Sequence, residues 1–188
     1  MPDARAGAAH RAVFLDRDGT IVEDPGFLHE SGKVRLLSGA GEAIHRLNQA
    51  GWLVITVSNQ SGIARGLYDA TAYSAVQRRL VELLAAHGAQ LDGAYFCPHH
   101  PEFTGPCECR KPGVLLFREA AAALGLELAR CVWVGDRLSD VEPARQFGGR
   151  AFLVATGRGA AYAAQTRALG VPVVADLAAA AAEIVRGG

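Results

Sequence analysis

Phe14-Leu15-Asp16-Arg17-Asp18-Gly19-Thr20 sets two aspartates at the end of a short apolar run, with a turn at Gly19-Thr20 directly after them. Ala12–Leu15 reads as a buried strand. Its carboxyl end then carries both carboxylates, the position at which open α/β sheets place their chemistry. Alternation along an extended backbone directs Asp16 and Asp18 to one side. From there one carboxylate can attack a phosphorus atom while the other moves a proton.

The rest of the chain alternates apolar runs with amphipathic segments. Trp52–Val57 is almost continuously apolar, as expected of a strand buried on both faces. Further strands are predicted at Gly93–Phe96, Cys131–Val134, Ala151–Val154 and Val171–Val174. Helices are predicted over Gly39–Ala50, Ala70–His87 and Val114–Leu124, each followed by a glycine or running up to one. Three more cover Ser139–Phe147, with Ser139 as N-cap, Ala160–Leu169 and Leu177–Val185. Strands alternating with helices predict a doubly wound, Rossmann-like parallel sheet with helices on both faces. The Ala-rich C-terminal helices are expected to cover the sheet edge. Connections are short, which predicts a single domain over 12–188 without a large cap, preceded by a disordered tail over 1–11.

With 188 residues, half of them hydrophobic, the chain can bury a sizeable core. Lys plus Arg and Asp plus Glu number 19 each, so the formal net charge is zero. That balance leaves no global basic field for nucleic acid, and a small anion must be met by local arrangement. No apolar run approaches the roughly 20 residues that span a bilayer, and the polar start lacks the apolar centre of a signal peptide. A cytoplasmic monomer with neither membrane nor nucleic-acid partner is expected. In a reducing cytosol, clustered cysteines point to metal rather than to disulfides. Cys131, Trp52 and Trp133 lie at predicted strands and read as packing residues.

Four segments fall at predicted strand ends or in the loops beyond them: Asp16-x-Asp18-Gly19-Thr20, Ser58-Asn59-Gln60-Ser61, Arg110-Lys111-Pro112 and Gly135-Asp136-Arg137-Leu138-Ser139-Asp140. In a parallel sheet these ends share one rim. Their chemistry is complementary, because a phosphate dianion repels a carboxylate nucleophile unless cations neutralise both. Asp16 and Asp136 can share a magnesium ion, which prefers oxygen ligands. Lys111 adds a fixed positive charge, and Ser58 offers a hydroxyl. Asp16 would form a phosphoaspartate, with Asp18 protonating the leaving alkoxide and then activating water. In this order and spacing the segments resemble the haloacid dehalogenase superfamily of phosphatases, and the match runs from about Val13 to Thr156.

Cys97-Pro98-His99-His100-Pro101 is followed by Cys107-Glu108-Cys109-Arg110-Lys111. Three thiols and an imidazole, from His99 or His100, make a set typical of a closed structural zinc site. A zinc-stapled loop is therefore expected. Because Cys109 adjoins Arg110 and Lys111, fixing the loop is expected to fix both cations.

The zinc loop, with Gly26-Phe27-Leu28-His29-Glu30, Ser58–Gly66 and Cys109-Arg110-Lys111-Pro112, is similar to one branch of the superfamily. That branch is the D-glycero-D-manno-heptose 1,7-bisphosphate 7-phosphatases, related to the phosphatase domain acting on histidinol phosphate. The resemblance implies His99 as the zinc ligand with Cys97, Cys107 and Cys109. It implies magnesium held by Asp16, the Asp18 carbonyl and Asp136, with Asp140 behind them. It also implies phosphoryl stabilisation by Ser58 and Lys111, and a role in making nucleotide-activated heptose, a lipopolysaccharide precursor. Substrate contacts are implied at Asp24, Pro25, Gly26, Phe27, Asn59, Gln60, Ser61, Arg110 and Arg137. A second phosphate gives a capless enzyme a strong handle, and Arg65, Arg110 and Arg137 are candidates to grip it in a fork. The sequence departs from the branch pattern at Val22-Glu23, at Ser58 in place of threonine, at Arg137 in place of lysine, and in a short stretch from His99 to Cys107.

Other readings are a histidinol-phosphate or broad sugar phosphatase, a phosphomutase, and a zinc-binding interaction module on an inactive scaffold. The intact Asp16, Asp18, Lys111 and Asp136 oppose the last. The missing cap opposes the mutase.

Overall fold

Ala12, Val13, Phe14 and Leu15 form β1, and all four are buried. Alternate residues serve different layers: Val13 and Leu15 enter one core, Ala12 and Phe14 the other. A strand with no solvent face has to sit in the middle of a sheet covered on both sides. β1 does so. The computed structural model, which describes residues 10–187, is a six-stranded parallel sheet. Its other strands are β2 (Leu53–Asn59), β3 (Gly93–Cys97), β4 (Val132–Gly135), β5 (Arg150–Val154) and β6 (Val173–Val174). The order is β3-β2-β1-β4-β5-β6, so the chain reverses its direction of travel at β1 and β4. Ligands of such sheets bind at that switch point, beyond the carboxyl ends of the strands.

The helices are α1 (Ala40–Gln49), α2 (Ala70–Ala85), a four-residue α3 (Pro101–Thr104), α4 (Leu115–Leu124), α5 (Leu138–Phe147), α6 (Gly159–Ala168) and α7 (Leu177–Arg186). Ile44 and Leu47 of α1, Val76 and Leu80 of α2, and Ala180 and Ile184 of α7 close one core over Val13, Val54 and Val134. Leu116 and Phe117 of α4 and Val141 and Ala144 of α5 close the other over Phe14, Ile55 and Trp133. Phe14, Phe117 and Trp133 meet at centroid distances of 5.1–5.8 Å, so Trp133 is packing, as expected. Among the described residues no segment builds a separate cap.

Several boundaries differ from the sequence expectation. Arg11 is not tail: its guanidinium lies 4.2 Å over the Trp52 ring, and its carbonyl accepts from Leu53 N–H. His10 is also tied in, to Gly125 and Glu127; residues 1–9 of the expected tail lie outside the described residues. α7 covers a face of the sheet beside α1 rather than its edge, because Leu177, Ala180, Ala181 and Ile184 make an apolar stripe that needs a core. β6 shrinks to Val173–Val174, since Pro172 has no N–H for the ladder and contributes only its carbonyl, to Leu153 N–H. Ser139 is not the cap of α5. Arg137 is, and its N–H donates to Asp140 Oδ2 at 2.9 Å, so the carboxylate three residues on does the capping.

Candidate active site

β1 and β4 pair side by side, and Asp16 N–H continues the ladder by donating to Val134 O at 2.9 Å. Asp16 and Asp136 therefore leave neighbouring strands at the switch point, and both are buried. Two glycines make room for Asp136. Gly19 and Gly157 have φ of +84° and +56°, and a Cβ on either would stand 2.4 or 2.3 Å from Asp136 Oδ2. That oxygen accepts from Arg158 N–H at 2.7 Å, while Oδ1 is buried without a hydrogen-bond partner.

Lys111 reaches the same point from the segment before α4. Its ammonium donates to Asp16 Oδ1 at 2.7 Å and to the Val57 carbonyl, and pairs with Asp140 Oδ1 at 2.8 Å. Those three acceptors use all of its donors. The Lys111 backbone is clamped separately by the Asn59 amide, which donates to Lys111 O at 3.1 Å and accepts from Lys111 N at 3.0 Å. Asn59 is thus committed to placing Lys111.

Asp16, Asp136 and Asp140 bring carboxylate oxygens within 4.8 Å of one another, against the single buried ammonium of Lys111. Burial pushes Asp16 up to about 8, with Lys111 opposing and Asp140, Asp136 and Asp18 adding to the rise. Burial likewise pushes Asp136 up to about 6, opposed by the Arg158 amide. Burial also works against the charge on Lys111, yet Asp140 and Asp16 hold it above the ordinary lysine range. The cluster is short of positive charge, and Asp136 Oδ1, without a hydrogen-bond donor and with the Arg137 guanidinium 3.8 Å away, marks where it is missing. An oxygen-rich set of this kind suits a hard divalent cation.

Beside the cluster opens a pocket of about 530 Å³, lined among others by Asp16, Asp18, Asp24, Gly26, Phe27, Asn59, Gln60, Ser61, Arg110, Lys111, Arg137 and Asp140. Of the residues expected at a site, these twelve meet here. Ser58 does not line the pocket; it is buried, with no hydrogen-bond partner for its hydroxyl. Pro25 and Arg65 do not line the pocket. Arg65 instead bonds His100 Nε2 at 3.0 Å and lies 4.8 Å over the Phe103 ring, bridging to the cysteine loop. Phe27 is 45% exposed and holds a left-handed φ of 52°, a strained pose that turns the ring onto the rim.

Cys97, His99, Cys107 and Cys109 form a second cluster, with ligand atoms likewise within 4.8 Å of one another. Cys97 Sγ stands 3.7 Å from Cys107 Sγ and 3.9 Å from His99 Nδ1, and Cys109 Sγ lies 3.6 Å from Cys107 Sγ. Tetrahedral ligands at ~2.3 Å from a zinc ion stand about 3.8 Å apart, so these edges fit. Cys109 sits closer in, 2.7 Å from Cys97 and 3.2 Å from His99, and would move outward around an ion. His100 caps α3 through Nδ1 and meets Arg65 through Nε2, which leaves the cluster to His99. Arg110 donates to the His99 carbonyl at 3.3 Å, tying the loop to the pocket.

Arg17, Tyr68, Arg158 and Tyr162 also belong to this region and were not singled out from sequence. Tyr68, Arg158 and Tyr162 line the pocket. Arg158 had a readable signal, since it follows β5 onto the same rim. Arg17 had another: an arginine just after a buried strand is itself buried, where a charge needs a partner, and Asp18 is that partner.

Part of the chain, residues 108–180, matches the HAD-hydrolase-like family model. A D-glycero-beta-D-manno-heptose-1,7-bisphosphate 7-phosphatase of Yersinia pestis is 39% identical over 153 residues, covering 78% of this chain and 81% of that protein. A D-glycero-D-manno-heptose-1,7-bisphosphate 7-phosphatase of Thermosynechococcus vestitus is 43% identical over 157 residues, covering 79% and 80%. Among solved structures, the D,D-heptose 1,7-bisphosphate phosphatase of B. bronchiseptica, complexed with magnesium and phosphate, superposes with a TM-score of 0.87 at 37% identity. It covers 95% of this chain and 99% of that one. With a shared fold, and this identity over most of both partners, the chain belongs to the D-glycero-D-manno-heptose-1,7-bisphosphate 7-phosphatase family of haloacid dehalogenase-like hydrolases.

Proposed function

We propose that this protein removes the 7-phosphate of D-glycero-D-manno-heptose 1,7-bisphosphate through a phosphoaspartate on Asp16. The observation that carries the reading is the meeting of Asp16, Asp136 and Lys111 at the sheet's switch point, beside a pocket edged by Arg110 and Arg137. Asp16 attacks phosphorus, and the ester bond breaks as its electron pair passes to the sugar oxygen. Asp18 gives that oxygen a proton. It then takes one from water, which attacks the aspartyl phosphate, frees inorganic phosphate and restores Asp16.

Lys111 must exchange one of its three present acceptors for a phosphoryl oxygen, and the Asn59 clamp keeps its backbone still while it does so. Asp16, Asp136 and the Asp18 carbonyl would hold magnesium. When bound, that ion supplies the positive charge missing from the carboxylate cluster and draws the phosphoryl group toward Asp16. Asp140, joined to Lys111 and to the Arg137 amide, fixes both without binding the ion. Arg110 and Arg137, which line the pocket from separate loops, would meet the phosphate that does not react. Cys97, His99, Cys107 and Cys109 would hold zinc in a closed site with no position for water, so its part is structural.

Phosphate release from both anomers of the heptose bisphosphate, with histidinol phosphate as comparison, tests the reading. A kcat/KM for a heptose bisphosphate at least ~10²-fold above that for histidinol phosphate is expected, and its absence in Asp16→Asn. Equal values for all three would replace it with a broad phosphatase.

A further inference from the structure

Arg17 is fully buried between the two aspartates of the opening motif, and its ion-pair partner is Asp18. The guanidinium grips that carboxylate in a fork, Nε to Oδ1 at 3.1 Å and Nη2 to Oδ2 at 2.9 Å. Gln60 Nε2 adds a third bond, to Oδ2 at 2.9 Å. The amide cannot turn around. Its Oε1 accepts from Arg17 Nη2 at 3.2 Å and from the Tyr68 hydroxyl at 2.6 Å, which leaves only the NH₂ end for Asp18. Tyr68 is stacked in turn on the His29 ring at 5.5 Å, and the Arg17 guanidinium lies 5.3 Å over the Tyr73 ring.

A carboxylate offers about four lone-pair sites. Three are taken by donors from beneath, and Asp18 lines the pocket with what remains. A flexible side chain has thereby been reduced to one pose with one free direction.

We propose that Arg17, Gln60 and Tyr68 are positioning residues that aim Asp18 at the leaving-group oxygen. Gln60, on this view, serves the reaction through Asp18 and not by touching the sugar. The proposal rests on the reading of Asp18 as proton donor and deepens it. Misplacing a catalytic group by about 1 Å costs on the order of 10²-fold in rate. The loss must fall on the step that needs the proton.

The test compares an alkyl phosphate, the heptose bisphosphate, with p-nitrophenyl phosphate, whose phenolate leaves unprotonated. Arg17→Lys keeps the charge but not the fork. Gln60→Leu removes the third donor, and Tyr68→Phe removes one hydroxyl at little risk to folding. Turnover of the heptose bisphosphate should fall about 10²-fold in the first two and several-fold in the third. The pre-steady-state burst of p-nitrophenolate should stay within about threefold of the unmodified enzyme in all three. Equal losses on both substrates, or none on either, overturn the proposal. Asp18→Asn separates the two levels: it should lose turnover of the heptose ester by at least as much as any of the three. If Asp18→Asn retains that turnover, the role of Asp18 itself fails. If it behaves as expected while the three variants do not discriminate between substrates, only the positioning role fails.

Discussion

Asp16 and Asp136 stand at the ends of adjacent buried strands, whereas Cys97 ends β3 and His99, Cys107 and Cys109 follow it on a loop that contains a single helical turn. Both clusters suit a metal, and they are held in opposite ways. The carboxylates are fixed by the sheet whether or not a cation is present, so burial, and after it their mutual repulsion, raises their proton affinity. Cys97 is held by the sheet and Cys109 is buried against the core, but the exposed stretch between them, with His99 and Cys107, has little beyond the cluster to fix it. One site tolerates the loss of its ion electrostatically at a cost, while the other is expected to lose its shape.

Removing the proposed nucleophile is the hardest blow to the first site. Asp16→Asn is expected to lower turnover by roughly 10⁴-fold or more, with the circular dichroism spectrum unchanged. Residual turnover above that limit would move the covalent step to another residue.

At the second site, Cys107→Ala, or a zinc-selective chelator with magnesium kept in excess, is expected to raise KM for the bisphosphate about 10- to 100-fold. The structure sharpens which cation suffers. Arg110 leans on the His99 carbonyl, but Lys111 is held independently by Asn59, Asp16 and Asp140. The reading in which the loop orders both cations is therefore narrowed to Arg110, and kcat should change only a few-fold. A large loss of kcat at constant KM would restore Lys111 to the loop's control.

Magnesium itself gives a pH signature. Asp16 and Asp136 are raised from 3.8 to about 8 and about 6. The ion-free folded protein thus binds more protons than the unfolded chain across that window, and its stability falls as pH rises through those values. Magnesium competes with the same protons. Its gain in Tm should therefore grow from about pH 5 to about pH 8. At a hundred times Kd the gain is worth about 2.7 kcal/mol, or roughly 5–10 °C for a chain of this size. A gain independent of pH would place the ion away from these carboxylates. The smallest effect is expected of Gly157→Ala, whose methyl would press on Asp136 Oδ2: a loss of about 1–3 kcal/mol in stability and weaker magnesium binding, read by calorimetry.

Much of the grouping at the candidate site was legible because phosphoryl chemistry would demand particular residue types at strand ends. Asp16-x-Asp18, Lys111 and Asp136 are such residues, and a parallel sheet gathers its strand ends wherever the exact boundaries fall. The Cys/His cluster was legible for a similar reason, since four soft ligands within a short stretch have few other uses. Arg17, Gln60 and Tyr68 were harder to read, because their roles depend on contacts between separate loops. Nothing in the sequence around Tyr68 marks its hydroxyl as the group that orients Gln60. Arg65 went the other way: an arginine beside a phosphate-binding segment suggested a substrate contact, and packing turned it toward His100 and Phe103.

Hydrophobic alternation and the order of the motifs, which are local properties of the chain, determined the doubly wound sheet, the paired aspartates and the sulfur cluster. Tertiary structure alone decided that Asn59 serves Lys111 and that Asp18 is held by a buried arginine. Those outcomes turn on angstrom distances between segments far apart in sequence. A hydrogen bond is made or lost over a few tenths of an ångström, and no spacing along the chain encodes so fine a length.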